Sequence, residues 1–184
     1  MQSNLGVKTM RDKFFMAASR AAIEILDETG GIPVALSALV KKGRTYDLIP
    51  IGNASRARDV RMLDDDVLDK SIKSVVSHVN SHKGAQPIVF FLSMVASGQT
   101  KDLDTGETEE VDCVISAART SDRLGRTSVY KIKNKKYFDI TQPENEKWSK
   151  FREEDDIPCV LAQGILDKVW KSYIINYNMN LLKI

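Results

Sequence analysis

Residues 87–96 read Pro-Ile-Val-Phe-Phe-Leu-Ser-Met-Val-Ala, the longest apolar run in the chain. Ile88 to Val95 is rich in β-branched, aromatic and aliphatic side chains. So short a run fits either a buried strand or a segment of buried helix, because it shows no period that separates the two. The patterns on either side differ. Upstream, apolar residues recur every three or four positions; downstream they alternate.

The upstream half opens with a helix from about Thr9 to Asp27. Met10, Phe14, Ala17, Ala21 and Ile25 fall at helical spacing, and Phe15, Ala18, Ala22 and Leu26 widen the apolar face. Alanine favours helix, Thr9 suits the N-cap, and Gly30-Gly31 suits a left-handed stop. Val34 to Val40, after Pro33, reads as a second short helix turning back on the first. Tyr46 to Met62 contains Pro50, Gly52 and Asn53 and reads as loop with short extended pieces. Asp64-Asp65-Asp66 then precedes Val67, Leu68, Ile72, Val75, Val76 and Val79, a helix with acids at its positive end, closed by Gly84 and Pro87.

Downstream, Lys101 to Asp112 is acidic and turn-rich around Asp104-Thr105-Gly106, and Val111 to Ala118 reads as a strand. Val129 to Ile140 reads as a hairpin turning at Asn134-Lys135-Lys136. That turn is not the favoured Asn-Gly pair, which leaves the register open. Asp155-Asp156-Ile157-Pro158 is a helix start, and Val160, Leu161, Ile165, Leu166, Val169, Trp170, Tyr173, Ile174 and Tyr177 continue it. The expected fold is therefore α+β in a single domain, 1–184: an antiparallel helical bundle from about 9–84 and 157–178, a β-rich insertion at about 88–142, and a C-terminal tail at 179–184.

With 184 residues, 42% of them hydrophobic, the chain is long enough and apolar enough to bury a core. Ten Gly and five Pro are too few for a collagenous or low-complexity chain. Its 27 Lys and Arg against 25 Asp and Glu exclude a polyanionic mimic and exert no global pull on nucleic acid. No run reaches the ~18–20 apolar residues of a membrane helix, and Met1 to Arg11 lacks a secretory pattern. Two cysteines make no disulfide framework. The expectation is a soluble protein made in the cytoplasm.

Catalytic chemistry finds little support. His78 and His82 share a helix face at metal-ligand spacing, but no glutamate takes the zincin position and further ligands are distant in sequence. They read as solvent-facing histidines at a helix C-terminus. Cys159 opens a helix beside Asp155 and Asp156, which oppose thiolate formation, so it reads as a small apolar residue. The acids at Asp64–Asp66 and Glu153–Asp156 are explained by helix starts, and phosphate-binding glycine patterns are absent. No catalytic residue, metal ligand or cofactor site is assigned, and the chain reads as non-enzymatic.

Charge is segregated. Arg119, Arg123, Arg126, Lys131, Lys133, Lys135 and Lys136 stand against Asp122 alone, a net of +6. Asp102, Asp104, Glu107, Glu109, Glu110 and Asp112 stand against Lys101, a net of −5. Three readings follow: a phosphate-binding hairpin, two solvated loops, or head-to-tail assembly in which the acidic segment of one copy meets the basic hairpin of the next.

Ser128 to Tyr177 resembles the C-terminal part of podovirus head-to-tail adaptors of the tail tubular protein A type. The resemblance lies in the hairpin Val129-Tyr130-Lys131-Ile132-Lys133-Asn134-Lys135-Lys136-Tyr137-Phe138-Asp139, the Asp155-Asp156-Ile157-Pro158 start and the aromatic-bearing helix Val160–Tyr177. It implies a helical bundle with a β-rich extension, forming a ring of about 12 copies between portal and tail. It also implies portal and tail (nozzle) proteins as partners, DNA passing through the lumen, and a place in the neck of a virion. Leu181, Leu182 and Ile184 would then dock into the portal, or else cover the domain's own core. The competing expectation is a small regulatory protein that binds nucleic acid or a host protein through residues 119–136.

Overall fold

The computed structural model describes residues 2–29, 34–54, 65–82, 84–101, 106–141, 146–150 and 157–181. The element order is α1 (Gln2–Thr29), β1 (Val34–Lys42), β2 (Thr45–Ala54), α2 (Asp65–Ser81), β3 (Ala85–Lys101), β4 (Thr108–Thr120), β5 (Leu124–Lys133), β6 (Lys136–Asp139), β7 (Ser149–Lys150) and α3 (Ile157–Leu181). The strands form one seven-stranded sheet in the order β2-β1-β3-β4-β5-β6, with β7 pairing β5 beside β6. Every pairing is antiparallel. This corrects the expected helical bundle with an inserted hairpin: the sheet is the body of the molecule and the helices cover it.

The run at 87–96 decides the matter by being the middle of the central strand. Phe90, Leu92 and Met94 enter one core with Ile72, Val75, Val76 and Val79 of α2 and Ala162, Leu166, Val169, Trp170 and Tyr173 of α3. Val89 and Phe91 enter a second core, on the opposite face, with Phe14 and Phe15 of α1. A strand covered on both faces reads as continuously apolar, so its period of two disappears from the sequence. Pro87 is accommodated at a register shift, where Val40 faces Pro87 and Leu39 faces Val89, a setting that tolerates a missing N–H.

Two further expectations are corrected. Val34–Val40 is strand β1, not a helix, because Gly43 takes φ 60° and lets β1 return directly as β2. Thr45–Ala54, expected as loop, is β2, an edge strand able to carry Pro50. The segment 55–64 lies outside the described residues, as do the expected stop at Gly30-Gly31 and the acids at 153–156. The helix from Asp65 and the hairpin at 129–140 stand as expected.

Asn134 and Lys135 both adopt left-handed backbone, φ 53° and 58°, and form the two-residue turn between β5 and β6. Lysine is strained there, since its Cβ crowds the following carbonyl. Lys135→Gly should raise stability by about 0.5–1 kcal/mol, read as a higher urea midpoint with an unchanged slope. A lower midpoint would contradict this account of the turn.

α3 approaches the sheet closely at Gly125. The buried Gln163 amide donates from Nε2 to Ala118 O (3.3 Å), Arg126 O (3.4 Å) and Thr127 Oγ1 (3.2 Å). A Cβ on Gly125 would lie 2.8 Å from Gln163 Oε1 and 2.9 Å from Cδ. Gly125→Ala should therefore cost about 1–3 kcal/mol. In a double-mutant cycle with Gln163→Ala, part of that loss should be recovered, because the clash is gone. Strict additivity would place the strain elsewhere.

Candidate interaction surface

The two charge blocks fall on neighbouring strands, and much of their charge meets within one chain. Glu109 on β4 accepts from Lys131 Nζ on β5 at 2.6 Å and lies 3.7 Å from Lys133 Nζ. The Lys131 hydrogen bond, then the charges of Lys131 and Lys133, hold the Glu109 carboxyl below the usual carboxylate range. Glu109 is half exposed, so the cluster orients side chains more than it stabilises the fold. Arg119, nearly buried, pairs with Asp167 of α3 at 3.2 Å, and Arg126 with Asp12 of α1 at 3.1 Å. A hydrogen bond from Lys171, then the Arg119 charge, keeps Asp167 low.

The other assigned residues are more dispersed. Arg123 is exposed in the β4–β5 turn with φ 64°, and Lys135 and Lys136 are exposed at the β5–β6 turn. Glu107 and Glu110 are exposed on or beside β4, and Asp112 accepts from Ser97 Oγ at 2.6 Å. Asp102 and Asp104 lie outside the described residues, as do Leu182 and Ile184. Leu181 closes α3.

Register explains what remains at the surface. β1 accompanies β3 only to the row Ala35–Ser93, whereas β4 accompanies it to Lys101. Rows 97–101 of β3 and 108–112 of β4 therefore extend as a ribbon about 16 Å long. A shallow groove of about 440 Å³ on this ribbon is lined by Ser97, Gln99, Glu110, Val111 and Asp112. At the opposite edge, Phe138 of β6 is 48% exposed and Ile140 just beyond it 44% exposed. Tyr137, between lysine and Phe138, instead donates to Asp27 of α1 at 2.6 Å. Partial burial, then that bond, pushes its pKa up to about 12.

The histidines are not simply solvent-facing. His78 Nε2 is 3.1 Å from Asp47 Oδ2 on β2, and His82 Nδ1 is 2.9 Å from the His78 carbonyl, which requires the proton on that nitrogen. Among the described residues no group of three or more His, Cys, Asp or Glu is placed to hold a metal ion. Cys113 is buried, and burial raises its thiol pKa. Among the described residues no helix is long and apolar enough to cross a membrane.

Sequence reasoning missed Phe138 and Ile140 as a surface feature. Their signal was the alternation Tyr137-Phe138-Asp139-Ile140, which puts the two apolar side chains on one face of an edge strand. It also missed Asp12, Asp47, Trp148 and Asp167, partners supplied by distant segments. No family model, curated protein or solved structure matches this chain.

Proposed function

We propose that the chain is a non-enzymatic structural protein that works as a self-assembling subunit. The observation that carries this reading is the pair of exposed apolar residues, Phe138 and Ile140, at the outer edge of a sheet whose last strand is only four residues long. Exposed apolar side chains at a sheet edge mark a surface that a partner can cover. The neck of a phage particle, with a ring between portal and tail, extends this reading on the strength of the Ser128–Tyr177 resemblance; the helical-bundle part of that resemblance is corrected by the fold.

The phosphate-binding alternative is weakened by the pairing of Arg119, Arg126, Lys131 and Lys133 with carboxylates of the same chain. A nucleic-acid binder should also lose affinity steeply with added salt. The test is sedimentation velocity over a range of concentrations, with electron microscopy of the purified protein alone and mixed with portal proteins. Discrete oligomers or rings are expected. A monomer at every concentration, alone and with portal, would overturn the reading.

A further inference from the structure

α1 runs along the strands that it covers. Asp12 meets Arg126, in the row Phe91, Ala118, Arg126, and Asp27 meets Tyr137, in the row Ser97, Asp112, Ile132, Tyr137. From Asp12 to Asp27 a helix rises about 22 Å, and from Phe91 to Ser97 a strand rises about 20 Å. The two lengths nearly match, so successive turns of α1 pass over successive rows of the sheet. Phe15 stands edge-on to Phe91 at 6.0 Å between ring centroids. From Phe15 to Ser19 the helix rises about 6 Å, and from Phe91 to Ser93 the strand rises about 7 Å. Ser19 therefore comes over the row of Ser93.

That row is Ser93, Ser116 and Ser128, one serine on each of β3, β4 and β5. Alternation along the strands puts all three on the face that carries Phe91 and Ala118, the face under α1. Ser19 is 2% exposed, Ser93 and Ser116 have no exposed surface, and Ser128 is buried. The layers on either side are apolar and closed: Phe15, Phe91 and Ala118 before, Ala22 and Val114 after. Four hydroxyls are thus sealed into one layer between helix and sheet. Ser128 is hydrogen-bonded to the Tyr130 side chain. The hydroxyls of Ser19, Ser93 and Ser116 have no hydrogen-bond partner among the described residues.

A buried hydroxyl without a partner is costly, and here three of them converge on one layer. The same layer is the thinnest part of the contact. Phe15 against Phe91 keeps the helix off the sheet on one side, and Val114 fills the row on the other, whereas a serine carries a single heavy atom beyond Cβ. Ser93 and Ser116 face each other, and such pairs have Cβ atoms about 5 Å apart. One water closes that span when it bonds both hydroxyls at about 2.8 Å. Ser19 adds a third bond from above, and about three is the usual number for a buried water.

We propose that Ser19, Ser93 and Ser116 form an internal binding site for one water molecule, which joins the middle of α1 to the two central strands. The site is independent of the self-assembly reading. Asp12 and Asp27 fix the helix toward its ends, and the water bridge holds it between them by hydrogen bonds where apolar side chains are missing.

The test begins with the unaltered chain. A high-resolution crystal structure should show a water oxygen about 3 Å from Oγ of each of the three serines. In solution, oxygen-17 relaxation dispersion of the solvent counts long-lived internal waters. That count should fall by one in Ser116→Val, whose added methyl fills the layer, with the circular dichroism unchanged. Ser93→Ala should lower the urea midpoint, because the water loses a partner. A raised midpoint would mean that the Ser93 hydroxyl bonds nothing, and would overturn the site. So would an unchanged water count in folded Ser116→Val, or a crystal structure in which Ser93 and Ser116 bond each other directly with no water between helix and sheet. Should Ser116→Val fail to fold, the crystal structure and Ser93→Ala decide.

Discussion

Replacing Phe90 by alanine is expected to cost about 3–5 kcal/mol, a large share of the roughly 5–15 kcal/mol that holds a domain together. Phe90 has no exposed surface and lies on the central strand beneath α3. Its ring stands edge-on to Trp170 at 4.5 Å between centroids and 5.9 Å from Tyr173. Truncation removes both ring contacts and leaves a cavity that the sheet, hydrogen-bonded on both sides of this residue, cannot close. Trp170 is also held in place, since its Nε1 donates to Arg119 O at 3.0 Å. Urea unfolding followed by circular dichroism should show a large fall in midpoint, with Phe90→Leu losing much less. Phe138→Ala, at the exposed edge, should stay within about 0.5 kcal/mol of the parent chain. Similar losses at positions 90 and 138 would mean that β3 is not the centre of the fold.

The contrast between those positions also marks what was readable in advance. α2 buries one face, and so its 3.6-residue period survives in the sequence; α3 is apolar nearly all round, with Ile174 and Ile175 exposed, and was readable from its length and its Ile157-Pro158 start. The β5–β6 hairpin was readable because β6 is half solvated and its residues alternate. β3 was ambiguous because two layers cover it, and β1 was misread because Ala35, Leu36, Ala38 and Leu39 also favour helix. The overlooked signal was local: Gly43-Arg44 between two apolar stretches, where a two-residue turn reverses the chain. Charge segregation was readable as arithmetic, but its meaning depended on topology. Once β4 and β5 are neighbours, Glu109 and Lys131 meet inside one subunit, and attention passes from the charges to the apolar residues of β6.

Asp12→Ala is expected to cost about 2 kcal/mol, because one carboxylate ties three distant segments together. Its Oδ1 accepts from Arg126 Nη1 of β5 at 3.1 Å and from Trp148 Nε1 at 2.6 Å. Arg126 lies over the Phe15 ring at 4.7 Å and Arg11 over the Trp148 ring at 5.0 Å, while Arg11 also reaches Asp122 at 3.9 Å. Asp12 is 41% exposed and Arg126 only 17%, so the aspartate's own desolvation is small while the guanidinium depends on it. The cost therefore falls below that of breaking a fully buried pair and above that of a surface one. Asp12→Asn keeps an acceptor for Trp148 and loses the charge facing Arg126, so it should cost about half as much. Chemical denaturation gives the two losses. Trp148 fluorescence, read in a Trp170→Phe background, reports whether the indole has left its site. A loss below about 0.5 kcal/mol for Asp12→Ala, with Trp148 undisturbed, would show that α1 is held by Phe14, Phe15 and the second core alone. The expected pattern, with Asn between Ala and the parent, would mean that the polar cluster fixes where α1 lies across the sheet while the apolar core supplies most of the binding energy.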